Sequence, residues 1–266
     1  MNKQILVPTD FSNCANIASE TAYKLAIRSN ATVHFLTVYD LMPNQVLQQK
    51  KKNALTQVVK KFSTKGLVTK TAYLEGGFIK AMEEYIEANN IDLVVMGSHG
   101  ASGLSEIMIG SNTQKVVRHI NCPILVVKSE LNNIDFQNII FASDFSLKEK
   151  VVFKYFLEFI SQFSNPHIHL VAVNTSSFFN QPEFLLRDAM IEFKAMAGEV
   201  PCTTNIQYNF NVENGIEYFS KIIGADLIVV SNYQKSMLRK LFIGSTVEAL
   251  VNHSEIPILS LDFLKS

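Results

Sequence analysis

The chain has 266 residues, is 47% hydrophobic, and balances 24 Lys plus Arg against 24 Asp plus Glu. That is enough apolar material for one large domain or two ordinary ones, and zero net charge offers no overall field to draw nucleic acid or an anionic membrane surface. Three cysteines, Cys14, Cys122 and Cys202, odd in number and without CxxC spacing, imply neither a disulfide framework nor a zinc site, so the reducing cytoplasm is the expected compartment.

From the N-terminus, the first ten residues hold one lysine and an apolar run (Ile5, Leu6, Val7) too brief for a signal-peptide core. No later run approaches the length of a membrane span. Short apolar runs at 4–8, 32–38, 68–74, 93–97 and 124–127 read as strands. Segments of helical period at 15–29, 45–65, 79–89 and 113–119 read as the helices between them. The runs at Leu93 and Ile124 are apolar on both faces, as in parallel strands covered by helices. The lysines of the second helix, Lys50 to Lys52 with Lys60 and Lys61, read as a solvated face. After the polar stretch 129–135 the scheme starts again, with strands expected at 139–142, 168–173, 206–210, 227–230 and 258–261 and a long middle helix near 182–197.

The restart is a repeat. Asp10-Phe11-Ser12 after an apolar run returns 134 positions later as Asp144-Phe145-Ser146. At that same offset Asp92-Leu93 matches Asp226-Leu227, Gly110-Ser111 matches Gly244-Ser245, and Pro123-Ile124-Leu125 matches Pro257-Ile258-Leu259. A period this long denotes a duplicated domain rather than a solenoid. The fold expected is therefore α/β, with two tandem doubly wound parallel-sheet domains covering 1–130 and 134–266. Ligands in such sheets sit beyond the carboxyl ends of the strands, which singles out the loops after Val7, Val38 and Met96.

One of those loops carries a pattern. Gly97-Ser98-His99-Gly100 follows a strand, and nine residues later Gly110-Ser111-Asn112-Thr113 opens a helix. Glycines at 97 and 100 permit a sharp turn and close approach of a ligand to backbone N–H groups, while Gly110 and Ser111 present donors at a helix N-terminus, where dipole and unpaired amides favour phosphate. The alternative is that the glycines only turn the chain and Ser111 only caps its helix. No Gly-x4-Gly-Lys-Ser/Thr and no Gly-x-Gly-x-x-Gly after the first strand is present, which removes the P-loop and the dinucleotide fingerprint. Asp10 has a bland reading too, as the cap of the helix that follows. In the second half Ser231 and Gln234 stand where Gly97 and Gly100 stand in the first, so close backbone approach is lost there and that half is expected to be degenerate for nucleotide, with Lys235, Arg239 and Lys240 read as solvated. His167 and His169 share one strand face, which could suit a metal, but lack an evident third ligand, so packing or exposure is the expected role.

Val94-Val95-Met96-Gly97-Ser98-His99-Gly100, then Ile109-Gly110-Ser111-Asn112, then Cys122-Pro123-Ile124-Leu125-Val126-Val127, with Val7-Pro8-Thr9-Asp10-Phe11-Ser12 at the first turn, resembles the signature of the universal stress protein family, in its ATP-binding branch. The resemblance spans the chain as two copies. It implies a universal stress protein-like, adenine nucleotide alpha hydrolase-like fold and an adenine nucleotide, ATP with Mg²⁺ or Mn²⁺, in the first half. Pro8, Thr9 and Asp10 would lie at the adenosine end, and Val38 would read the adenine edge through its backbone. Met96, Gly97, His99 and Gly100 would line ribose and phosphates, with Gly110, Ser111 and Asn112 on the phosphate chain. It further implies that the two last strands pair, making an intramolecular pseudo-dimer, with a homodimer also open. The expected role is a stress-response regulator that binds nucleotide, with no nucleic-acid or membrane partner. A slow ATP-hydrolysing, phosphoryl- or adenylyl-transferring enzyme and a chaperone-like scaffold with a vestigial site are the alternatives. With no phosphate-loop lysine and no evident catalytic base, turnover is expected to be slow or absent.

Overall fold

The computed structural model describes residues 3–39, 45–98, 110–175, 182–231 and 240–261, the side chains of 240–245 excepted. The chain forms two compact units, Met1–Ile134 and Asp135–Ser266. The first runs β1 (Gln4–Pro8), α1 (Asn13–Ser29), β2 (Thr32–Tyr39), α2 (Gln45–Ser63), β3 (Thr69–Glu75), α3 (Phe78–Asn89), β4 (Leu93–Gly97), α4 (Ser111–His119) and β5 (Ile124–Val127). Its strands are parallel in the order β3-β2-β1-β4-β5. The second unit repeats this with β6 (Asn138–Ala142), α5 (Glu149–Ile160), β7 (His167–Thr175), α6 (Glu183–Met196), β8 (Cys202–Asn209), α7 (Val212–Ile223), β9 (Leu227–Ser231), α8 (Lys240–His253) and β10 (Ile258–Leu261), ordered β8-β7-β6-β9-β10. Both are doubly wound parallel sheets. The order reverses beside β1 and β4, the place where sheets of this kind take their ligands, at the carboxyl ends of the strands.

The middle strands are buried but for an end residue, and β4 is buried along its whole length, with Leu93, Val94, Val95 and Met96 in the core. Phe35 stacks on Phe62 beneath α2, and Phe141, Phe153, Phe156 and Phe193 form the corresponding aromatic core of the second unit. Burying each such ring contributes roughly 2–3 kcal/mol. Among the described residues no helix is long and apolar enough to cross a membrane.

The repeat persists in individual hydrogen bonds. Asp92 Oδ2 accepts from Gln4 N at 2.7 Å, and Asp226 Oδ2 accepts from Asn138 N at 2.9 Å. Most element boundaries differ from the sequence expectation by one or two residues, and three of the differences show what sets an element's end. The first helix starts at Asn13 rather than 15 because Ser12 caps it, its hydroxyl accepting from Ala15 N at 3.2 Å. The second helix stops at Ser63 rather than 65, before Gly66 at φ 85°. β8 starts at Cys202 rather than 206, since Thr203 to Asn205 pair with β7 although they lack an apolar alternation.

Candidate functional site

The first turn is built by local hydrogen bonds. Thr9 N donates to Leu36 O at 2.7 Å, tying the end of β1 to β2, and Thr9 Oγ1 accepts from Phe11 N at 3.1 Å. Asp10 Oδ1 accepts from Ser12 N at 3.0 Å, and Phe11 sits at φ 67°. A non-glycine residue in the left-handed region is held there by such a closed set of bonds. The second unit makes the same turn: Ser143 Oγ accepts from Phe145 N, Asp144 Oδ1 accepts from Ser146 N, and Phe145 has φ 52°. Turn formation is thus a sufficient reason for a carboxylate at position 10 as at 144.

β1 pairs with both β2 and β4, so Pro8 to Asp10, Val38, and Met96 with Gly97 come to one end of three adjacent strands. Thr9 and Met96 are buried, Val38 is half-buried and Asp10 is exposed. Gly97 is the hub. A Cβ built there would meet Cys14 O at 2.5 Å and Cys14 C at 2.6 Å, both backbone. The glycine therefore lets the first turn of α1 close onto the end of β4, a use different from the sequence expectation of ligand approach. From the other side Thr113, in the first turn of α4, donates its hydroxyl to Gly97 O at 2.9 Å, and Gly110 N donates to Ser98 O at 2.8 Å. Two helix N-termini are thereby brought to one residue.

Neither of those helices has an acidic residue in its first turn, and α4 has Gly110 as N-cap with no side-chain cap. Ser111 and Asn112 are exposed, Thr113 buried. Amide donors and the positive ends of two helix dipoles are the chemistry of an anion site. His99 and Gly100 lie outside the described residues. Sequence reasoning missed Cys14, Ser98 and Thr113 as builders of this end. Thr113, at the third helical position after Gly110, was visible as a helix opener but not as a tie to Gly97.

In the second unit the arrangement differs. Ser231 carries a Cβ where Gly97 has none, and α5 starts at Glu149, two positions later than the repeat would place it. Gly244 and Ser245 lie inside α8, which begins at Lys240, so their amides belong to the helix ladder rather than to its open end. Asn232, Tyr233, Gln234, Lys235 and Arg239 lie outside the described residues. His167 and His169 stack with ring centroids 4.3 Å apart. His169 Nδ1 contacts Thr203 Oγ1 at 3.0 Å, and the Nε2 atoms of both rings are buried without a hydrogen-bond partner. Burial and then the neighbouring His167 push His169 down to about 4. No cluster of three or more His, Cys, Asp or Glu able to hold a metal occurs among the described residues.

Fold and site together define a tandem doubly wound α/β protein whose first unit gathers two helix N-termini at the end of its fourth strand. The chain belongs to the universal stress protein family, whose model matches residues 1–128 and again 135–261. A universal stress protein of Methanocaldococcus jannaschii is 32% identical over 139 residues, covering 47% of this chain and 82% of the relative. A second from that organism is 28% identical over 155 residues, covering 48% of this chain and 96% of the relative. Among solved structures, a universal stress protein of Archaeoglobus fulgidus superposes with a TM-score of 0.79 at 20% identity, covering 97% of this chain and 98% of its own.

Proposed function

We propose that the first unit binds an adenine nucleotide, ATP above all, and that occupancy rather than turnover is its working signal. The observation that carries this is the convergence of the α1 and α4 N-termini on Gly97, through the Cys14 backbone on one side and the Thr113 hydroxyl on the other. A polyphosphate is the ligand class that two such donor clusters suit. Ser111 and Asn112 would take the phosphates beside Gly110, whose own amide is held by Ser98 O, with Met96 and Gly97 beneath the ribose and Pro8 to Asp10 and Val38 toward the base. His99 and Gly100 join this assignment from the sequence pattern alone. Mg²⁺ or Mn²⁺ would arrive on the phosphates, where the exposed oxygens of Ser111 and Asn112 are suitable ligands.

The second unit, with Ser231 at the hub and Gly244 inside a helix, is read as not binding nucleotide. Titration calorimetry of the intact chain with ATP and Mg²⁺ is expected to give a stoichiometry near one; two equal sites would overturn the assignment. Asn112→Asp provides a sharper test, because a carboxylate in the first turn of α4 favours the helix dipole but repels phosphate. ATP affinity should fall about tenfold or more, while thermal stability stays level or rises by a few tenths of a kcal/mol. Unchanged affinity would remove α4 from the site.

A further inference from the structure

β8 is the outermost strand of the second unit, and among the described residues it pairs with β7 alone. Ile168 N donates to Pro201 O at 2.8 Å. Because peptide groups alternate along a strand, residues 203, 205, 207 and 209 also turn toward β7, and Cys202, Thr204, Ile206 and Tyr208 present their N–H and C=O outward. Such a row is a template for another strand, which proteins ordinarily blunt with charge, proline or a bulge. The corresponding outer strand of the first unit, β3, carries Lys70 and Glu75. The eight residues of β8 carry neither a charge nor a proline. Its rim is apolar as well: Tyr208 is 64% exposed, Phe210 91%, and Phe184 64%, the last adjoining Glu183, which accepts a hydrogen bond from Tyr208. Single exposed apolar residues are ordinary, but here Tyr208 and Phe210 lie on and just after the open edge, and Phe184 is next in sequence to the residue that Tyr208 bonds.

We propose that β8 is a self-association edge that pairs antiparallel with β8 of a second copy of this chain. Self-complementarity selects this occupant. With a two-fold axis at Asn205, Thr204 faces Ile206 of the other copy and Cys202 faces its Tyr208, so every outward N–H of the set meets an outward C=O. No like charges oppose each other anywhere in that register. The dimer joins the second units.

Sedimentation equilibrium of the intact chain tests this. Wild type is expected to approach about 60 kDa, twice 29.9 kDa, as concentration rises. Thr204→Pro removes an outward donor, and Thr204→Lys places a charge on the edge at an exposed side chain. Both variants should stay at 29.9 kDa with unchanged circular dichroism, and the lysine variant serves if proline disturbs folding. A wild type that remains monomeric at every concentration overturns the proposal, as does a dimer that both variants leave intact. A monomer that instead takes up an added extended peptide of unrelated sequence assigns the edge to other chains and equally overturns the second-copy reading.

Discussion

His34 and His169 hold equivalent places in β2 and β7, both buried, and both lie near pKa 4, held down by burial first and then by a basic neighbour, Lys70 or His167. His34 is satisfied by Tyr85 Oη at 2.9 Å and Gln4 Oε1 at 2.7 Å; in the second unit Phe219 stands where Tyr85 stands, and His169 meets that ring edge-on. A histidine whose folded pKa lies below its unfolded value of about 6.5 is neutral in the fold, so the unfolded chain gains protons that the folded one refuses as pH falls. Stability should be level above about pH 6.5 and fall between 6.5 and 4, by on the order of 2 kcal/mol for each histidine. Thermal melts across that range check it; a flat profile would refute it. Gly97→Ala belongs to the same scale. Its Cβ would meet the Cys14 backbone, which cannot swing aside as a side chain can, so a loss of about 1–3 kcal/mol in urea unfolding is expected, together with weakened ATP binding.

At the scale of elements, α1 depends on a three-residue device. Asp10 fixes Ser12, Ser12 caps the helix, and Asn30 closes it in the left-handed region with its N–H on Ala26 O. Ser12→Ala should cost about 1 kcal/mol, read as a lowered urea midpoint at unchanged slope. Because α1 also supplies one of the two N-termini at Gly97, the same change should weaken ATP binding. A stability loss with intact affinity would mean that only α4 holds phosphate.

At the scale of the whole molecule, the last strands β5 and β10 are four residues each, apolar, and preceded by Pro123 and Pro257. Within its unit β5 pairs with β4, and its other side needs cover if the unit is to stand alone. Mutual cover of the two last strands is the arrangement that the family resemblance implies and that we propose here, aided by the high effective concentration that a short linker provides. Residues 1–130 expressed alone should then dimerise or aggregate. If that fragment is a monomer at high concentration by light scattering, and the intact chain scatters X-rays as two loosely joined lobes, the pseudo-dimer fails.

The sequence by itself determined the class of fold and the duplication. Those follow from periodicity: short runs apolar on both faces, alternating with helical segments, suit parallel strands covered by helices, and several matches at one offset of 134 positions mark a second copy. It also made the Asp-Phe-Ser turn visible, though not that its carboxylate has a complete local use. Tertiary structure alone decided why Gly97 is glycine, because the Cys14 backbone that crowds it is distant in sequence and carries no pattern of its own. It decided that Thr113 ties α4 to β4, and that Gly244, matched to Gly110 by spacing, lies within a helix rather than at its start. Spacing fixes which residues can meet, but helix starts and close backbone contacts are set by packing against strands remote in sequence, and that information is absent from any local window.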